Sequence, residues 1–296
     1  MTVSTAFAER RAALEALGTD IVPDMIAGSV QLTAPHIDAA IYEGVSVQSD
    51  LPYGSHERQV LDVYTDGTTT GTKPVLVYVH GGGFTMGAKS SDQTPFFRNL
   101  GAWAVQQDWV AVVINYRLAP EFTFPSGAED IGAAITWIVE HIGSYGGDPQ
   151  RIFLTGQSAG SMHVADYVVG HGGYGPHGRA LRGAVLISPL VDIDRAARSG
   201  RYTVYWGDDE SRWTSQSTLP GLLETDLPLL VTVSEFDESQ FQLQAAQFAA
   251  AWAARHDGFP PLHRLYAHNH LTPVYAIGTP WDSLGPLLKL FVASHT

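Results

Sequence analysis

A chain of 296 residues with 45% apolar content is an ordinary globular sequence, long enough for one large core with embellishments. Its 17 basic and 30 acidic residues leave a net charge of −13, which argues against nucleic acid or an anionic membrane surface as a partner. Cysteine is absent, so there is no disulfide framework, no thiolate nucleophile and no cysteine metal site; serine, carboxylate and histidine chemistry remain.

In chain order, "MTVSTAFAERRAALEALGTD" reads as an amphipathic helix without the basic start, apolar core and cleavage site of a secretory signal. No apolar run reaches the length of about eighteen residues that a membrane span needs, so a cytoplasmic protein is expected. Residues 1–45 precede the sheet as an N-terminal helical or cap segment, and residues 46–296 form the main domain. The polar stretch Thr65 to Lys73 is a turn between strands.

From there apolar, β-branched runs alternate with helix-like segments. The runs are Pro74 to His80, Val110 to Tyr116, Arg151 to Thr155, Gly183 to Pro189, Pro228 to Ser234 and Leu262 to His268. Their continuity predicts strands buried on both faces, as in a parallel sheet. The helices are expected over Pro95–Gln107, Ala128–His141, Ser161–Val169 and Ser239–Arg255, the last opened by a capping box, "SQFQ". Strand and helix in alternation predict an α/β fold with helices on both faces of a mostly parallel sheet. Residues 191–226 interrupt that pattern with an aromatic, turn-rich insert, expected to cap the carboxyl edge of the strands, where open α/β sheets bind ligands.

The stretch "GQSAG" sets Ser158 between Gly156 and Gly160, where an apolar strand gives way to a helix. A sharp strand-to-helix turn thrusts its side chain out of the sheet and strains its backbone, so the neighbours on either side must be tiny. Serine so placed is a nucleophile that needs a base, an orienting acid and donors for an oxyanion. The donors are expected upstream in "HGGGF", at the N–H groups of Gly82 and Gly83, joined by that of Ala159; His80 braces the loop. The loop lacks the lysine ending of a phosphate-cradling loop and the spaced glycines of a dinucleotide site.

Taken in order, "HGGGF", "NYRLAPEFTFPSGAED" and "GQSAG" resemble the motifs of α/β-hydrolases of the hormone-sensitive-lipase-like carboxylesterase group, over roughly residues 55 to 295. The resemblance implies an α/β-hydrolase fold, with a catalytic acid after the next-to-last core strand and a histidine after the last. In "EFDE" the residues Glu235, Asp237 and Glu238 are all within reach, and the family pattern selects Asp237. In "AHNHL" periodicity cannot choose between His268 and His270, because alternate residues of an extended segment share a face; the resemblance favours His270. A histidine pair could also suggest a metal, but no carboxylate-rich motif accompanies it, and none is expected. Arg117, Glu121 and Asp130 read as a structural polar network, and Tyr202, Tyr205, Trp206 and Trp213 as either packing or pocket lining.

The expectation is a serine hydrolase of short-to-medium acyl carboxylic esters. It carries the triad Ser158, His270 and Asp237, acts on small-molecule substrates without a cofactor, and leaves homodimer formation open. Two rivals keep the fold. An aryl formamidase would use the same machinery, and a binding protein would have lost the triad, although every required position is filled here.

Overall fold

The apolar runs do pair into one sheet. A computed structural model describes residues 3–198 and 200–296. Its strands are β1 (Ser46–Pro52), β2 (Val60–Thr65), β3 (Lys73–Val79), β4 (Val110–Ile114), β5 (Gly147–Gln157), β6 (Gly183–Ile187), β7 (Leu229–Phe236) and β8 (Leu262–Asn269). They lie in the order β1-β2-β4-β3-β5-β6-β7-β8. The β1–β2 and β2–β4 pairs are antiparallel, and every pair from β4–β3 to β7–β8 is parallel.

The helices are α1 (Val3–Ala16), α2 (Pro23–Thr33), α3 (Arg98–Gln106), α4 (Ser126–His141), α5 (Ala159–Val169), α6 (Gly200–Trp206), α7 (Trp213–Gln216), α8 (Leu219–Glu224), α9 (Ser239–His256), α10 (Thr272–Tyr275) and α11 (Gly285–Ser294). Alternation along the strands divides the core into two layers. Val75, Val77, Val112 and Leu154 face Ile131, Ile135 and Val164 of α4 and α5. Leu76, Val113 and Phe153 face Leu100, Leu288 and Phe291 of α3 and α11. Each such aliphatic side chain contributes about 1.5–3 kcal/mol on burial, which is why strands covered on both faces read as continuous apolar runs.

A third apolar cluster lies at the carboxyl ends of the strands and joins the insert to the main body. Tyr205, Trp206 and Trp213 pack there with Phe84, Met162 and Phe241, and the Phe84 and Tyr205 rings stack at 4.4 Å. At the other end of the chain, α1 buries Leu14 and Arg10 on one side, and Arg11 grips Glu235 with Nε at 3.1 Å and Nη2 at 2.9 Å.

The helix expected at Ser239 starts there, but without the capping box. The cap position is Glu238, and no side chain closes the first turn. Gln242 turns instead toward the acid loop, donating to the Asp237 carbonyl at 2.8 Å, and Glu238 accepts from the Ile21 N–H at 3.3 Å. The loop before the helix and the N-terminal segment take these side chains in place of the cap.

Candidate active site

At the end of β5 the backbone of Ser158 adopts φ 54° and ψ −125°, a conformation that L residues rarely hold. Two glycines make it sterically feasible. A Cβ on Gly156 would lie 2.4 Å from the Gly160 carbonyl oxygen, and one on Gly160 would lie 2.2 Å from that of Val79. The turn is pinned by the Ser158 N–H donating to Ile187 O at 2.9 Å, and by the Ser158 carbonyl accepting from Met162 N at 3.1 Å and Ser161 Oγ at 2.6 Å.

The glycine loop after β3 folds back toward this serine. Gly82 has φ 136°, and a Cβ there would fall 1.9 Å from Met86 O; Gly83 has φ 57°. Among the described residues, the N–H groups of Gly82, Gly83 and Ala159 donate to no acceptor within the chain, and all three residues line the cavity that holds Ser158. Convergent N–H donors of this kind are what a developing oxyanion requires. His80 has the bracing part expected of it. Its Nδ1 donates to Gly81 O at 2.6 Å, its ring stacks on Tyr116 at 4.4 Å, and Tyr116 Oη donates to His80 O at 2.9 Å. Burial lowers its pKa to about 4, so the ring is neutral.

Beyond β7, the buried Asp237 carboxylate accepts from His270 Nδ1 at 2.5 Å with Oδ1, and from Ser188 Oγ at 2.7 Å and Ser234 N at 2.6 Å with Oδ2. A carboxylate partner fixes the proton on Nδ1 and leaves the Nε2 lone pair available. Among the described residues His270 Nε2 has no hydrogen-bond partner. It lines the same cavity as Ser158.

The two histidines of "AHNHL" do not share a face. Ala267 takes φ 55°, β8 ends at Asn269, and His268 turns to other partners: Thr272 Oγ1 at 3.1 Å and Ser283 Oγ at 2.7 Å. Burial lowers the His268 pKa to about 3. Glu235 is engaged by Arg11 and by Ala267 N at 2.9 Å, and Glu238 by Ile21 N, so of the three acid-loop carboxylates only Asp237 meets an imidazole of the cavity.

The polar network of the second motif needs one correction. Asp130 accepts from Arg117 N at 2.7 Å, Arg117 Nε at 2.8 Å and Gln59 Nε2 at 2.8 Å, but Glu129, not Glu121, is the second acid, 3.2 Å from Arg117 Nη2. Helix α4 presents Glu129 beside Asp130, whereas Glu121 sits in the loop before it.

Sequence reasoning missed three contributors. Ser188 holds the acid, Gln157 holds the backbone of His270 at 2.6 Å, and Ile21, Pro23 and Ile26 of the N-terminal segment form an outer wall of the cavity. No local pattern marks Ser188, and Gln157, although it lies within "GQSAG", finds its partner 113 residues away. Of the insert aromatics, Tyr202 reaches the cavity while Tyr205, Trp206 and Trp213 pack behind it.

Residues 76–264, more than half of the chain, match a protein-family model described as the alpha/beta hydrolase fold. The chain belongs to the α/β-hydrolase family. The likeness to the hormone-sensitive-lipase-like carboxylesterase group, expected from its motifs, stands with the relatives of this hydrolase. It is 36% identical over 136 residues to the probable carboxylic ester hydrolase LipM of Mycobacterium tuberculosis, covering 45% of this chain and 31% of that one. It is 41% identical over 98 residues to the carboxylesterase NlhH of the same species, covering 33% and 30%. This hydrolase thus matches about a third of the length of these curated relatives. Esterase B of Lactobacillus rhamnosis superposes over 97% of this chain and 96% of its own with a TM-score of 0.69 at 20% identity, a likeness of fold.

Proposed function

We propose that this α/β-hydrolase is a serine carboxylesterase of short-to-medium acyl esters. The observation that carries the proposal is the 2.5 Å contact from His270 Nδ1 to Asp237, which leaves His270 Nε2 unpartnered in the cavity of Ser158. Ser158 Oγ attacks the ester carbonyl carbon while His270 Nε2 takes its proton, and Asp237 stabilises the imidazolium that forms. The tetrahedral oxyanion accepts from the N–H groups of Gly82, Gly83 and Ala159. Collapse expels the alcohol, which takes the proton from His270. Water then attacks the acyl-enzyme, giving its proton to His270, and release of the carboxylic acid restores Ser158. The partial relatives LipM and NlhH, both named as ester hydrolases, support the reading.

The cavity holds about 510 Å³, and none of the described residues that line it is charged. That lining suits an uncharged acyl and alcohol portion, and among the described residues it offers no ion-pair partner for the ammonium and carboxylate of an amino-acid formamide. The segment before the sheet and the insert at 191–226 act in this proposal as two parts of a cap, the first through Ile21, Pro23 and Ile26 and the second through Tyr202.

Each added methylene gains about 0.8 kcal/mol until the pocket ends. Values of kcat/KM for p-nitrophenyl esters from acetate to palmitate are therefore expected to peak at about eight acyl carbons or fewer. A continued rise to palmitate, with activation on emulsions, would refute the enclosed pocket. Faster turnover of N-formylkynurenine than of any short ester would replace the ester reading by a formamidase.

A further inference from the structure

We infer that Gln157 is a positioning residue of this site, clamping the backbone that carries His270 to the strand end that carries Ser158. The inference rests on reading Ser158 and His270 as nucleophile and base. It adds a residue whose amide sets the distance between them without touching either reacting atom.

Gln157 is the last residue of β5, and only 1% of it is exposed. Its Nε2 donates to the carbonyl of His270 at 2.6 Å and to that of Leu271 at 3.3 Å, and its Oε1 accepts from Tyr78 Oη on β3 at 3.2 Å. These partners settle the orientation of the amide. Carbonyl oxygens only accept, so the side facing the two of them must be the NH₂, and the phenol donates to the oxygen.

The geometry calls for such a clamp. β8 lies three places from β5 in the sheet, so the segment after it must cross the ends of β6 and β7 to bring an imidazole to Ser158. Asp237 grips one ring nitrogen, which fixes the tautomer but leaves the ring a pivot about that bond. The His270 carbonyl is the second anchor, and among the described residues Gln157 is its one donor. A displacement of about 1 Å between reacting groups can cost on the order of a hundredfold in rate.

Polarity makes the idea testable. A carboxylate in place of the amide would face two carbonyl oxygens and would need a proton to keep the bond. In a buried site that proton is held well above the ordinary carboxylate range. In Gln157→Glu, the rate relative to wild type should therefore be highest at about pH 5 and fall on the order of tenfold by about pH 9. The change opposes the ionisation of the histidine base, which favours higher pH. Gln157→Met should lower kcat of p-nitrophenyl butyrate hydrolysis about tenfold to a hundredfold, with a smaller change in KM.

Should the methionine variant fail to fold, Tyr78→Phe keeps the test. It removes only the support of Oε1 and should lower kcat about two- to fivefold in a protein that still melts cooperatively. A Gln157→Glu rate that tracks wild type at every pH would overturn the clamp, as would an unchanged kcat in Gln157→Met or, where that variant does not fold, in Tyr78→Phe. A wild-type protein that neither hydrolyses the ester nor takes a fluorophosphonate on Ser158 would instead overturn the esterase reading and the catalytic meaning of the clamp with it.

Discussion

The Ser158 side and the Asp237–His270 side of the cavity are held in place by different physics. Around Ser158 and the glycine loop the restraint is steric exclusion: at Gly156, Gly160 and Gly82 a Cβ would come within 2.4, 2.2 and 1.9 Å of a carbonyl oxygen. Around Asp237 and His270 it is a hydrogen-bond network drawn from distant parts of the chain. Ser188 and Ser234 hold the carboxylate, and Asn269 Oδ1 accepts from the N–H groups of Leu271 and Thr272, both at 3.2 Å. Its Nδ2 reaches Ser29 on α2 at 2.7 Å. Exclusion tolerates no change in residue type at a few positions, whereas a network spreads the restraint over many, each of moderate effect.

The sharpest tests compare the groups of the proposed mechanism across that divide. Ser158→Ala should fold and lose activity by about 10⁵ to 10⁶, as expected of a triad acting as a unit; retained turnover in a kinetic assay would remove serine from the mechanism. Asp237→Asn should cost about 10⁴ in kcat, because the amide can present an N–H to His270 and favour the wrong tautomer. On the network side the decisive pair is His270→Ala and His268→Ala. The first should be nearly inactive and the second should stay within about a hundredfold of wild type, since His268 spends its nitrogens on Thr272 and Ser283. The reverse ranking would move the base. Ser188→Ala should cost less, about two- to tenfold in kcat, because Ser234 N still holds the same carboxylate oxygen.

The smallest effect is one of pH. His163 is buried among Phe84, Tyr116 and Tyr205, and burial lowers its pKa to about 3. Between that value and an unfolded value of about 6.5 the unfolded chain binds the extra proton, so this group's contribution is complete above about pH 6.5 and declines as the pH falls. His163→Phe should flatten the fall in thermal midpoint between about pH 6.5 and pH 4, by at most about 1.4 kcal/mol per pH unit. Parallel melting curves for the two proteins would show that His163 does not titrate with unfolding.

The same divide explains what could be read in advance. Exclusion writes short local signatures, so "GQSAG" and "HGGGF" pointed to the elbow and the glycine loop, and the buried parallel strands announced themselves as continuous apolar runs. The network writes none. Gln157 and Ser188 look like any polar residues at strand ends, and their partners lie 113 and 49 residues away. At Ser239 the capping box fails because Gln242 bonds the carbonyls of the loop just before the helix, and at Arg117 the partner is Glu129 rather than Glu121, since α4 carries Glu129 beside Asp130. The choice of His270 over His268 rests on the family resemblance, since β8 ends at Asn269, between the two, and no simple period marks that end.

The N-terminal wall of the cavity has a consequence for substrate choice. Ile21, Pro23 and Ile26 border the cavity from a stretch lying more than fifty residues ahead of the glycine loop, and Ile21 is tied to the main body through Glu238. Changes at Ile21, Pro23 or Ile26 would reshape the wall without touching the elbow, whereas changes at Ser29 or Arg11 would also disturb the Asn269 and Glu235 contacts. On the proposed reading, altering those three wall residues would change which acyl groups the cavity accepts and leave the proposed attack by Ser158 unchanged.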